Sequence, residues 1–501
     1  MLEISGQPLT LEQISAVASE SLEVRLADKA RARVTASRHV IEAVLKEGRT
    51  VYGVNTGFGR MAEVHISATD LDSLQVNLVR SHSCGLGAAL SREETRALIL
   101  LRANVLARAN SGCRVEVIEI LLAMLAARIY PVIPEKGSVG ASGDLAPLAH
   151  LALSIIGEGE VFYHEKRMPS KDALRAADIA PLRLAAKEGL ALLNGTQAMA
   201  AVGGLALFRA QRVAALSDLA GAMTLEALRG TPVVFDERIH QARPHPGQLA
   251  SAAHLRSLVE DSEIRRSHIL GDHRVQDAYS LRCMPQVHGA VRDALKHAQS
   301  VVETETGSAT DNPLVFAETG DVLSGGNFHG APLAMVFDYA AIGMTDLISI
   351  GERRIDRLVN PHVNEGLPAF LSSEPGLSSG FMLTQVCAAA LLNEARVLAH
   401  PASVDNVPTS GDKEDHVSMG MTAALKLRQI VTNAEQVLAI ELLAAVEGLD
   451  YRLPLRSSMS IENAKEVVRN FVPKLTADRP LSYDIDRLVS AIRGGELDDF
   501  R

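Results

Sequence analysis

Residues 416–452 read HVSMGMTAALKLRQIVTNAEQVLAIELLAAVEGLDYR, 37 residues with no proline and only two glycines, Gly420 and Gly448. Ala and Leu are the commonest residues, and both lose little on entering a helix. A continuous helix here would reach about 55 Å at 1.5 Å per residue. Its apolar band is wider than the two-position seam of a coiled coil, so it asks for neighbours on several sides. Companions of the same kind run over 333–358 and 381–400, with further helical patterns over 115–128 and 196–228. Thr10-Leu11-Glu12-Gln13 and Ser91-Arg92-Glu93-Glu94 are capping boxes that open two more. Strand signals are few and short, at 50–54, 160–163 and 313–316. The expected fold is mainly α, an elongated bundle of long helices. Residues 1–200 would form a more mixed region and 201–501 the helix bundle and C-terminal region, together one catalytic unit.

The 501 residues are 47% hydrophobic and 22% charged, enough to bury a large core and to exclude disorder as the main state. The formal net charge is −10 and aromatics make up only 4%, with no Trp. Neither a basic face nor a stacking platform is indicated, which argues against a nucleic-acid partner. Cys84, Cys113, Cys283 and Cys387 stand far apart with no CxxC pair, so reduced, buried thiols are expected rather than a disulfide framework or zinc site. The beginning, MLEISGQPLTLEQ, lacks the pattern of a signal peptide, and the apolar stretches read as too short or too interrupted to span a bilayer. A cytoplasmic protein with no membrane partner is the expectation. No HExxH or P-loop is present, and neither a metal nor a diffusible cofactor is implied.

Gly-dense loops interrupt the helical background: YGVNTGFG at 52–59, GSVGASGDLAPL at 137–148, LNGTQ at 193–197 and SGGNFHG at 324–330. Alone, Ala141-Ser142-Gly143 is a turn beside a helix cap. Its setting among small residues gives it a second reading, because such a backbone can fold back until the Gly143 amide nitrogen meets the Ala141 carbonyl carbon. Cyclisation with loss of water gives an imidazolone, and dehydration of Ser142 leaves an exocyclic methylene. That methylene is an electrophile, which none of the twenty side chains supplies.

The run GSVGASGDLAPLAH resembles the prosthetic-group signature of the aromatic amino acid ammonia-lyases, which carry 4-methylidene-imidazol-5-one (MIO). YGVNTGFG, VQDAYSLRCMPQVHG, SATDNPLVF, SGGNFHG, ERRIDRLVNP, LAHPASVD, EDHVSMG and SYDIDRL extend the resemblance, in order, over nearly the whole chain. The resemblance implies a long-helix bundle of the fumarase/aspartase-like lyase type. It also implies MIO formed autocatalytically from Ala141, Ser142 and Gly143, and a homotetramer whose active sites combine residues of different subunits. Its reaction makes the amine of an amino acid a better leaving group while a base removes a β-proton.

By the same resemblance Tyr52 is the base, a phenol whose anion needs stabilising, for which positive helix N-termini would serve. Arg282 anchors the carboxylate with its guanidinium fork. Gln276 and Tyr279 precede it by six and three residues, on roughly one face if the segment is helical, and Tyr279 orients the amino group. Asn194 matches the residue that hydrogen-bonds MIO or the carboxylate. Tyr279 and Arg282 are expected from a different chain than Ser142.

Two positions choose the amino acid. His82 stands where relatives acting on tyrosine or phenylalanine have Leu, and Glu414 replaces an amide typical of those acting on phenylalanine. Both can hold an imidazole N–H, and Phe328 would pack on the ring. L-Histidine is therefore the implied substrate and trans-urocanate the product, the first step of histidine degradation. Action on tyrosine or phenylalanine, a 2,3-aminomutase and, more distantly, an amidase-type serine hydrolase using Ser410-x-x-Lys413 are the alternatives. The chain departs from the family pattern at Asp412-Lys413, Gly307 and Arg80.

Overall fold

The computed structural model describes residues 1–57, 64–67 and 69–501. It is mainly helical, 57% helix against 7% strand, as the long uninterrupted apolar patterns require. The 416–452 stretch forms a helix over Gly420–Asp450. Its first four residues stay outside, because Met419 adopts a left-handed backbone, φ 56°, and donates its N–H to Val139 O at 2.9 Å. The companion patterns become helices Ala331–Val359, Met382–Leu398, Val115–Ala126 and Gln197–Ala227. Both capping boxes form, with Thr10 Oγ1 accepting from Gln13 N and Ser91 Oγ from Glu94 N.

Two compact units divide the chain. The first comprises 1–208, 298–338 and 401–425, and the second comprises 209–297, 339–400 and 426–501. Thus two later segments return to the unit built by the first 208 residues. Every described strand lies in that first unit, in four small sheets. Leu2–Ile4 pairs in parallel with Val24–Leu26, and Leu86–Ala89 runs antiparallel to Pro134–Lys136. Tyr130–Pro131, Glu160–Tyr163 and Lys166–Pro169 form a three-stranded meander, and Leu314–Phe316 pairs with Asp321–Leu323. Among the described residues the regular elements of the second unit are all helices, and the unit carries a buried polar spine. There Arg354 clasps Glu441 with both ends of its fork, at 2.5 and 2.9 Å, and meets His288 Nε2 at 3.1 Å. His288 Nδ1 in turn sits 2.7 Å from Asp218.

Several expectations are corrected. Residues 50–54 are a turn rather than a strand: Gly53 has φ 73°, and Asn55 binds back to Val51 N and Arg49 O. The cysteines are unpaired, but only Cys113 is buried, whereas Cys84 and Cys387 are exposed. Helices Gln197–Ala227, Ala331–Val359 and Gly420–Asp450 are long and apolar enough to cross a membrane by length and composition. Between 61% and 83% of their apolar windows is buried inside the protein instead.

Candidate active site

Within the first unit a cavity of about 800 Å³ gathers residues that are far apart in sequence. Tyr52, His82, Ala141, Ser142, Asn194, Phe328 and Glu414 all line it. Of the 52–59 loop, Phe58 and Gly59 lie outside the described residues.

The Ala141–Gly143 loop ends where helix Leu145–Ile155 begins. Gly143 has φ 75° and forms a parallel bridge to Gly195, and Asp144 N donates to Gly195 O at 2.7 Å. A Cβ on Gly143 would lie 2.1 Å from Gly195 O, so only glycine allows this approach. Asp144 is fully buried, and its carboxylate accepts from Ser138 Oγ and Met199 N, both at 2.8 Å. It thereby caps helix Gln197–Ala227 and ties that helix to the loop. Burial outweighs these donors and pushes its pKa up to about 6.

Ser142 is held from two sides. Its Oγ donates to Glu414 Oε1 at 2.7 Å, and its carbonyl oxygen accepts from Asn194 Nδ2 at 3.0 Å. Glu414 Oε2 accepts from Thr409 Oγ1 at 2.7 Å, inside a bridge between residues 409 and 414. The loop backbone is clamped from below as well, since Ser418 Oγ donates to Gly140 O at 3.0 Å.

His82 closes helix Leu71–His82, and its Nδ1 lies 2.9 Å from Leu78 O, one turn back. A carbonyl can only accept, so Nδ1 carries the proton and Nε2 keeps its lone pair. Burial pushes the His82 pKa down, against the opposing pull of Leu78 O and Glu414. The neutral ring therefore offers an acceptor. His329 and His416 also line the cavity, with parallel rings 5.7 Å apart.

Gln276, Tyr279 and Arg282 belong to the second unit and are not among the lining residues of this cavity. The helix there covers only Tyr279–Arg282, so Gln276 precedes it rather than sharing its face. The three still associate: Arg282 Nη1 donates to Gln276 Oε1, and the guanidinium lies 4.6 Å from the Tyr279 ring centre. Tyr279 is 70% exposed, and Leu270 and Val275, nine and four residues earlier in the chain, are 90% and 98% exposed.

Sequence reasoning missed Asp144 and Ser418 as supports of the loop. For Asp144 the signal was present, an acidic residue directly after Gly143. Lys413, one of the departures from the family pattern, lines the cavity beside Glu414.

A loop of three small residues is thus pinned against a second glycine turn, in a cavity walled by a phenol, an imidazole and a carboxylate. Residues 9–470 match the aromatic amino acid lyase family, and the chain belongs to it. It is 54% identical over 505 residues to the histidine ammonia-lyase of Anaeromyxobacter sp. (strain K), covering 99% of each chain. It is 53% identical to that of Myxococcus xanthus, covering 99% of this chain and 97% of the other. The structure superposes on histidine ammonia-lyase from Trypanosoma cruzi with TM-score 0.93 at 42% identity, over 99% of this chain and 94% of that one. Tyrosine aminomutase from Streptomyces globisporus superposes with TM-score 0.95 at 38% identity, over 100% and 98%.

Proposed function

We propose that the chain deaminates L-histidine without oxidation, giving trans-urocanate and ammonia, the opening step of histidine breakdown. The observation that carries this reading is the convergence of Ser142, Asn194, His82 and Glu414 on one cavity. His82 and Glu414 line the cavity and can accept from the N–H of a substrate imidazole, a donor that a phenyl ring lacks.

Ala141, Ser142 and Gly143 fit MIO, because the bend pinned at Gly143–Gly195 admits no side chain. When formed, the ring supplies an electrophilic methylene that turns the substrate amine into a better leaving group. Asn194 Nδ2, which donates to Ser142 O, would hold that same oxygen as the ring's carbonyl. Tyr52, on the cavity wall, takes the β-proton. Phe328 packs on the substrate ring.

Arg282 binds the substrate carboxylate, with Gln276 and Tyr279 beside it, and reaches the cavity of a neighbouring copy in a homotetramer. The exposed Leu270, Val275 and Tyr279 support this reading, because apolar surface of that extent asks for cover. Four unpaired cysteines fit a reducing, cytoplasmic location.

Purified protein with L-histidine is followed by the ultraviolet absorbance of the conjugated acrylate, with L-tyrosine and L-phenylalanine in parallel. The expected result is urocanate from histidine and none from Ser142→Ala. A β-amino acid product would instead indicate an aminomutase. Mixing Tyr52→Phe with Arg282→Met protein should restore activity through hybrid sites if the sites are shared.

A further inference from the structure

We propose that Arg102 is a positioning residue for the electrophile loop, holding the Asn194–Gly195 turn so that the Asn194 carboxamide donates to Ser142 O. Arg102 lies on helix Arg92–Ala107, where every residue from Glu94 onward is buried, and it is itself 0% exposed. Its Nη1 donates to Asn194 O at 2.8 Å and to Gln197 Oε1 at 2.6 Å, and its Nη2 donates to Ala191 O. One fork therefore grips the last turn of helix Glu188–Leu193 and the first residue of helix Gln197–Ala227. The turn between them carries Asn194 and Gly195.

Little freedom remains there. A Cβ on Gly195 would meet Gln197 Oε1 at 2.3 Å and Arg102 Nη1 at 2.6 Å. Gln197 Nε2 is anchored in turn on Thr310 Oγ1 at 2.8 Å. From the far side of the turn, Asn194 Nδ2 reaches Ser142 O at 3.0 Å and Gly195 O accepts from Asp144 N at 2.7 Å. Among the described residues, Arg102 thus reaches the loop through its hydrogen bond to Asn194.

Packing alone does not require a cation here. The hydrogen-bond acceptors of Arg102 are two carbonyls and an amide oxygen, while the carboxylate nearby, Asp311, is ion-paired with Lys187 at 2.8 Å. Burial pushes the guanidinium down to about 10, which leaves it charged at neutral pH. A buried cation lacking a direct carboxylate partner is costly, and a methionine would fill the same space. What the guanidinium adds is a rigid three-point grip and a positive field behind Asn194. Ring closure expels the Ala141 oxygen and leaves Ser142 O conjugated with the methylene, so a donor fixed on that atom draws electrons away from the reacting carbon.

This inference rests on the deamination reading, and the test separates the two. Arg102→Met, Arg102→Lys, Asn194→Ala and the double variant R102M/N194A are compared with the wild type by intact mass and by kinetics on L-histidine. R102M should lose two waters at residues 141–143 as the wild type does. Its kcat should fall about 10²-fold, the scale of one misplaced oxyanion donor, with KM nearly unchanged. R102K should recover part of this. The double variant should stay within about threefold of N194A, because residues acting through one another are not additive. Multiplicative losses, an unchanged kcat, or an R102M chain that keeps both waters would overturn the proposal. Should R102M not fold, R102K enters the same cycle with the same criteria. A wild type that loses two waters yet forms no urocanate refutes the substrate reading alone. The role of Arg102 is then read from the rate at which a thiol quenches the electrophile's absorbance, slower in R102M if the proposal holds and unchanged if it does not.

Discussion

Gly143→Ala probes the loop at its tightest point. The added Cβ would lie 2.1 Å from Gly195 O, and ordinary contact begins at 3.4 Å, so the two backbones must separate by about 1.3 Å. That movement stretches the 2.7 Å bond from Asp144 N to Gly195 O beyond hydrogen-bond range, at about 1 kcal/mol. Holding φ at 75° with a side chain present adds about 1–2 kcal/mol. The sum, about 2–3 kcal/mol, is within what a domain can lose and still fold. The catalytic loss should be far larger, because the same movement withdraws Gly143 from the bend that brings its nitrogen toward Ala141. Thermal unfolding should therefore remain cooperative with a lowered midpoint. Intact mass should show a chain that has kept both waters, and urocanate formation should fall by at least about 10²-fold, the effect of misplacing reacting groups by an ångström. A G143A protein that matures fully and turns over at the wild-type rate would refute both the steric argument and the role assigned to the loop.

Glu414→Gln keeps one acceptor and converts the other into a donor, so kcat/KM for histidine should fall about 10²-fold or more while the ratio of phenylalanine to histidine turnover rises, read from parallel product assays. Asp144 supplies a pH signature. Its carboxyl is pushed from 3.8 up to about 6 by burial, so the folded protein holds this proton longer than the unfolded chain does. The contribution is stabilising below pH 4 and is lost as pH rises to 6, about 3 kcal/mol at 1.36 kcal/mol for each pH unit. Urea midpoints measured from pH 4 to 7 should show this fall in the wild type and a flatter profile in Asp144→Asn; identical profiles would contradict it. Lys187→Met strands Asp311 in the core, where side-chain exposures are 0% and 1%, and should cost about 3–5 kcal/mol in denaturant unfolding.

Helix placement was legible because it depends on spacing within a few turns. The uninterrupted apolar bands read at 333–358 and 416–452 and the capping boxes at Thr10 and Ser91 needed no distant partner to be recognised. Gly density likewise marked the loops, and the Ala141–Gly143 run carried its own chemistry. The misreadings have local causes too. The 50–54 segment has strand composition, but Gly53 and the Asn55 side chain turn it.

Sequence alone determined which side chains were available: a phenol at 52, an imidazole at 82, an amide at 194, a carboxylate at 414 and the small residues that allow a backbone to bend upon itself. Tertiary structure decided which of them meet. Ser142 reaches Glu414 across 272 residues, and no periodicity records so long a closure. It also revealed that a buried cation on a Leu-rich helix steadies the Asn194 turn, and that Asp144 caps a helix beginning more than fifty residues later. Such roles depend on burial and hydrogen-bond partners, which exist only once distant segments have packed together.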